Sequence, residues 1–158
     1  MLKMGGQPVS VDVRRLKTVH GRFGDQIKLV VDANAGWSEN DATMFAKGIA
    51  SSPIAMVEQP IAAWNHAGLQ RLRQLLNCPL SADESVVDIH DAMALINHNG
   101  GRAVDVFSLK NSKNGGLTRL RDIAVVAEAA DLEVVVNSML EFGVSQVSRE
   151  REREKERE

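Results

Sequence analysis

Short apolar runs recur along this chain, and each stops at a charged or polar residue. They read Val30-Val31-Asp32, Met56-Val57-Glu58-Gln59-Pro60, Leu80-Ser81-Ala82-Asp83-Glu84-Ser85 and Val106-Phe107-Ser108-Leu109-Lys110. Asp32, Glu58, Asp83 and Lys110 follow one another at intervals of roughly 26 residues, room for one strand, one helix and two short loops. Between the runs, apolar residues recur at helical spacing. Val9, Val13, Leu16 and Val19 form one such set, and Met44, Phe45 and Ile49 a second. Leu69, Leu72, Leu75 and Leu76 form a third, Ala92, Met93 and Ile96 a fourth, and Leu117, Leu120, Ile123, Ala124 and Ala127 a fifth. Each is expected to be the buried face of a helix.

The punctuation agrees with this division. Pro8 stands at the start of the first helix, with Gly21 and Gly24 at its end. Ser38 and Asp41 resemble a capping box, Ser85 is expected to cap the fourth helix, and Asn114-Gly115-Gly116 is a turn before the fifth. Strands are predicted at Met1–Met4, Ile27–Asp32, Ile54–Glu58, Pro79–Asp83, Val104–Lys110 and Glu133–Asn137. Alternating strands and helices predict right-handed βαβ units on a parallel sheet. Charged groups at successive strand ends meet at one mouth only if the sheet closes into a barrel or has a switch point.

The chain has 158 residues, whereas a complete (β/α)8 barrel takes about 250. A net charge of −2 gives no footprint for nucleic acid or an anionic membrane. No apolar run approaches the roughly 18 residues of a membrane span. The lone Cys78 cannot form an internal disulfide, and the N-terminus shows no secretory apolar region, so a cytoplasmic protein is expected. From Arg149 to Glu158 basic and acidic residues alternate with nothing apolar to bury. The expected organisation is therefore one domain over 1–147 and a charged, solvated tail over 148–158.

Asp32, Glu58 and Asp83 give three carboxylates at three adjacent strand ends, the oxygen-rich set that a hard cation such as Mg²⁺ or Mn²⁺ requires. Without a cation they would repel one another and raise one another's pKa. Lys3 and Lys110 flank them in strand order, from opposite sides of the mouth.

The order and spacing of several segments resemble the barrel domain of the mandelate racemase and muconate lactonizing enzyme family of the enolase superfamily. They are Leu2-Lys3-Met4-Gly5, Val31-Asp32-Ala33-Asn34, Val57-Glu58-Gln59-Pro60, Ala82-Asp83-Glu84-Ser85, Leu109-Lys110-Asn111-Ser112-Lys113-Asn114-Gly115-Gly116 and Ser138-Met139-Leu140-Glu141. The resemblance implies an incomplete TIM-type barrel of about six parallel strands, without that family's N-terminal capping domain. It implies Mg²⁺-dependent removal of a proton α to a carboxylate through an enediolate, in a racemase, epimerase, cycloisomerase or dehydratase. Enolase-superfamily sites combine a Lys or His base with Mg²⁺. Lys3 and Lys110 would be the acid and base, Asp32, Glu58 and Asp83 the metal ligands, and Asn34, Glu84 and Glu141 supporting or substrate-contacting groups. The partner would be a small carboxylate.

Met1 stands where the family's Lys-x-Lys motif has its first lysine, and the first strand and last βα unit of the barrel are expected to be absent. An open barrel exposes two edge strands, a route to homo-oligomers. Two other readings stay open: a catalytically incomplete fragment that keeps the ligand set, and a lyase forming a Schiff base at Lys110. His20, His66, His90 and His98 share no register and read as surface or helix-end residues, and Lys113 is expected either to point away from the pocket or to be an extra loop cation. Trp37 and Trp64 are placed either at the mouth or in packing.

Overall fold

The computed structural model describes residues 1–139. Six strands, β1 Leu2–Lys3, β2 Val30–Asp32, β3 Met56–Glu58, β4 Leu80–Ala82, β5 Val106–Lys110 and β6 Glu133–Asn137, alternate with five helices. The helices are α1 Val9–Phe23, α2 Glu39–Gly48, α3 His66–Leu75, α4 Ile89–Ile96 and α5 Leu117–Ala129. The strands lie in chain order in one sheet, each parallel to the next, with β1 and β6 at its edges. The βαβ pattern is the predicted one. Three strands begin later than expected: Ile27–Leu29, Ile54–Ala55 and Val104–Asp105 precede β2, β3 and β5.

Strand alternation divides the sheet into two chemistries. One face carries Val31, Val57, Leu80, Ala82, Phe107 and Leu109, all buried against the helices. Leu16, Phe45, Leu69, Leu72, Leu95 and Ile123 come down onto them from the five helices. The opposite face carries Asp32, Glu58, Ser81 and Ser108, so the polar groups are segregated from the core by the pleat itself.

Three residues of the predicted apolar stripes lie outside. Met44 is 52% exposed, Leu75 49% and Met93 52%. On α2 the buried arc is Ala42, Phe45, Ala46 and Ile49, and Met44 falls one step of about 100° off it. The same offset separates Met93 from Ala92, while Leu75 ends α3 on the solvent side. Ser38 caps α2 as predicted, accepting from the Asp41 N–H at 3.1 Å. The fourth helix is capped by Asp88 in a capping box with Asp91, not by Ser85. Ser85 is occupied elsewhere: its hydroxyl donates to the Ala63 carbonyl and accepts from Gln59.

The first turn of the chain is fastened by Asp12, which is fully buried on α1. Its carboxylate accepts from the Gly5 N–H at 3.0 Å, from Trp37 Nε1 at 3.3 Å and from the Arg15 guanidinium at 2.9 Å. Gly5 and Gly36 let the two loops it joins touch. A Cβ on Gly5, whose φ is +85°, would stand 2.4 Å from the Ala33 carbonyl oxygen, and one on Gly36 would stand 2.7 Å from the Gly5 carbonyl oxygen. Asp12→Ala leaves the indole and the Gly5 amide without a buried acceptor, and it should cost about 2–3 kcal/mol in a urea unfolding series.

Candidate active site

The register of the sheet assembles the polar face. Lys3 pairs with Asp32, Asp32 with Glu58, and Glu58 with Ser81, so four side chains stand abreast on one rung. From there the polar positions climb by two residues at each strand: Ser81 to Asp83, Ser108 to Lys110. Lys110 is itself opposite Asn137. This stagger is the shear of a barrel wall, and it carries the charged ends of β1 to β5 to one mouth.

At the exits of β2 and β3 the chain turns sharply after its carboxylate. Asn34, Ala35 and Gln59 have φ of 46°, 59° and 33°, a left-handed conformation that side chains other than Gly and Asn adopt at a cost. Gln59 is held there by its own carboxamide. Nε2 donates to the Ile61 carbonyl at 2.9 Å and to Ser85 Oγ at 2.8 Å. Oε1 accepts from the Asp83 and Ser85 N–H groups at 2.9 and 3.2 Å. A buried glutamine after Glu58 thus fixes the backbone of Asp83 on the next strand.

Asp32, Glu58 and Asp83 are each 1% exposed. Asp32 accepts from the Asn34 N–H at 2.9 Å and from the Lys3 ammonium. Lys3 also donates to Asn34 Oδ1 at 3.0 Å, and Asn34 Nδ2 reaches Glu84 at 3.3 Å. Asp83 accepts from Lys110 on one oxygen and from Lys113 on the other, at 2.7 Å. Lys113 is therefore turned into the pocket rather than away from it, and it donates also to the carbonyls of Asp83 and Ser108 at 2.6 and 2.8 Å. The Asn114 side chain accepts from the Lys110 N–H and donates to the Val86 and Val87 carbonyls, shaping the turn that folds Lys113 back.

Glu58 has the least support. Ser108 donates to one oxygen at 3.2 Å, and Oε2 has no partner. Burial, with the charges of Asp32 and Asp83 beside it, pushes its carboxyl up to about 7. Burial presses Asp83 the same way, but its bonds to Lys110 and Lys113 hold it below the usual carboxylate range. Burial would lower Lys110, and Asp83 overcomes that and holds it above its ordinary value; for Lys113 burial wins.

Among the described residues no three His, Cys, Asp or Glu side chains converge as a closed ion site. Asp32 and Asp83 share their face with Glu58, yet turn oxygens to ammonium groups. The donor set nonetheless suits a hard cation: Glu58 Oε2, Ser81 Oγ and Glu84 Oε2 are buried oxygens without partners. Glu141, expected near the substrate, and the tail over 148–158 lie outside the described residues. Among those residues no helix is long and apolar enough to cross a membrane. Ser81, Ser108, Gln59 and Asn137, which donates to Ser108 Oγ at 2.6 Å, were not singled out by sequence. The i,i+2 step inward from each charged strand end would have found the two serines.

Residues 1–149 match the family model described as enolase C-terminal domain-like, and the chain belongs to that family. It is 35% identical over 147 residues to muconate cycloisomerase 1-2 of Acinetobacter lwoffii, covering 93% of this chain and 37% of that protein. With L-Ala-D/L-Glu epimerase of Clostridium acetobutylicum it shares 34% over 146 residues, covering 91% and 40%. The structure of a muconate lactonizing enzyme superposes with a TM-score of 0.85 at 35% identity, over 91% of this chain and 39% of that one. A dipeptide epimerase from Enterococcus faecalis, solved with Mg and the dipeptide L-Leu-L-Tyr, gives 0.79 at 32%, over 85% and 37%. The chain thus spans less than half the length of these relatives, and its six parallel strands match part of their barrel.

Two outcomes follow from the site. Gln59→Ala strands the Asp83 and Ser85 amides and should cost about 2 kcal/mol in urea unfolding. In chelator, between the ordinary 4.5 of a glutamate and about 7, the unfolded chain releases the Glu58 proton that the folded chain keeps. Stability at this carboxyl is thus present at low pH and falls as pH rises through that window. Unfolding midpoints measured over the window should flatten in Glu58→Gln.

Proposed function

We propose that this domain, taken as residues 1–147 with 148–158 as a charged appendage, carries the cation-and-lysine machinery for isomerase-type proton abstraction α to a carboxylate. The observation that carries the reading is the single polar face on which Lys3 and Lys110 bracket three buried carboxylates. Asp32, Glu58 and Asp83 would hold Mg²⁺. Bound there, the ion would supply Lewis-acid stabilisation of charge developing on the substrate carboxylate.

The protein groups would divide the remaining work. Lys3 and Lys110 stand on opposite flanks, placed to take a proton from one side of the α-carbon and return one from the other. Asp83 holds the Lys110 ammonium above its ordinary value, so its amine becomes a base only when that pairing is loosened. Asn34 ties Lys3 to Glu84 across the mouth, and Lys113 fixes Asp83 to β5. Ser108 supports Glu58, so the ligand that lacks a lysine still has a hydrogen-bond donor. The epimerase and cycloisomerase relatives point to a dipeptide or a muconate-type diacid as the small carboxylate.

A Schiff base at Lys110 is the weaker chemistry here. That route needs no set of three carboxylates, whereas Asp32, Glu58 and Asp83 are buried together here.

The test is thermal unfolding with and without millimolar Mg²⁺, for the chain and for Glu58→Ala. At a hundredfold excess over Kd, binding to the folded state alone adds about 2.7 kcal/mol, so Tm should rise in the parent chain and not in the variant. A transition indifferent to Mg²⁺ in both would overturn the reading. Incorporation of deuterium at the α-carbon of L-Leu-L-Tyr or L-Ala-L-Glu from D2O, lost in Lys110→Met, would then identify the turnover.

A further inference from the structure

Away from the mouth, two imidazoles meet where α3 faces the chain that leaves α4. His66 opens α3, and His98 lies in the loop between α4 and β5. Their rings are edge to face, with centroids 5.8 Å apart and planes at 80°. His98 Nε2 is shielded from solvent and has no hydrogen-bond partner.

The loop is held to the helix that carries His66. Gln70, one turn beyond His66 on α3, donates to the His98 carbonyl at 2.8 Å and to the Gly101 carbonyl at 3.3 Å. The loop closes on itself through paired amide bonds, His98 N–H to Gly101 at 2.8 Å and Gly101 N–H to His98 at 3.0 Å. Asn99 and Gly100, at φ of 49° and 79°, make that closure possible. The two rings are thus fixed by one helix and one clamped turn rather than by two independent loops.

We propose that His66 and His98 form a binding site for a borderline divalent metal of the Zn²⁺ class, separate from the carboxylate mouth. A neutral imidazole nitrogen suits Zn²⁺, Ni²⁺ or Cu²⁺, whereas oxygen donors suit Mg²⁺, so the two sites select different ions. Two imidazoles on one tetrahedral ion have centroids about 5 Å apart. The observed 5.8 Å is within about 1 Å of that separation. Among the described residues no third His, Cys, Asp or Glu joins them, so water completes the coordination. The bound ion gives the orphaned His98 nitrogen a partner and clips the loop to α3.

The experiment follows imidazole resonances of the whole chain during titration with Zn²⁺, with and without millimolar Mg²⁺. His66 and His98 should shift together and saturate at one equivalent in both conditions, with His20 and His90 unmoved. Cu²⁺ in place of Zn²⁺ should give the spin-resonance signature of two nitrogen ligands. His66→Ala and His98→Ala should each weaken Zn²⁺ binding roughly tenfold or more, and His90→Ala should leave it unchanged. Unlinked shifts of the two rings, a single-nitrogen Cu²⁺ spectrum, or full affinity in both alanine variants would overturn the site.

Discussion

Like charges buried side by side are the condition to which the rest of this domain answers. Asp32, Glu58 and Asp83 are withdrawn from water on neighbouring strands, and carboxylates so placed cannot all stay ionised unless positive charge meets them. Lysines from β1, β5 and the β5–α5 turn meet two of them. The third, Glu58, sits between its neighbours with a serine and no cation, and it accordingly holds its proton toward neutral pH. One set of positions thus combines strong electrostatic demand with incomplete satisfaction, a common property of functional sites.

The scaffold can bear this because the pleat separates two kinds of packing. On the helix side the strands offer Val31, Val57, Leu80, Phe107 and Leu109 to an apolar core, and hydrophobic burial there stabilises the sheet without involving the site. On the mouth side, hydrogen bonds do the positioning. Gln59 passes position from β3 to β4, Lys113 from β4 to β5, and Asn137 from β6 back to Ser108. Each link crosses one strand boundary.

Much of this was legible in the residue order, because strand ends and helix stripes are local patterns. The spacing of Asp32, Glu58, Asp83 and Lys110 located four strand exits, and β6 spans Glu133–Asn137 as predicted. Side-chain direction in turns was not legible. Lys113 lies three residues beyond its strand and folds back only because Asn114 anchors the turn to the Val86 and Val87 carbonyls, a contact between distant parts of the chain. Ser85 looked like a helix cap for the same reason: its real partners, Gln59 and Ala63, belong to the preceding loop. Met44 and Met93 were misplaced because one helical step separates core from surface, and apolar character alone does not choose the side.

The two lysines that bracket the site are unequal, and the inequality follows from strand length and position. Lys110 ends a five-residue strand paired on both sides, and its side chain is 16% exposed between Asp83 and the turn that carries Lys113. Lys3 ends a two-residue edge strand and is 64% exposed. Lys110 therefore takes its geometry from the sheet, whereas Lys3 takes it from Asp32 and Asn34, the second of which stands in a left-handed conformation just past β2. The Asp12 contacts to Gly5 and Trp37 then acquire a role beyond stability, because they fix the chain immediately after Lys3 against the loop that bears Asn34. The proposed acid–base roles of the opposed lysines would need both nitrogens placed to within fractions of an ångström. One is placed by the ladder, and the other by Asp32 and Asn34 with the buried Asp12 fastening the chain just beyond it.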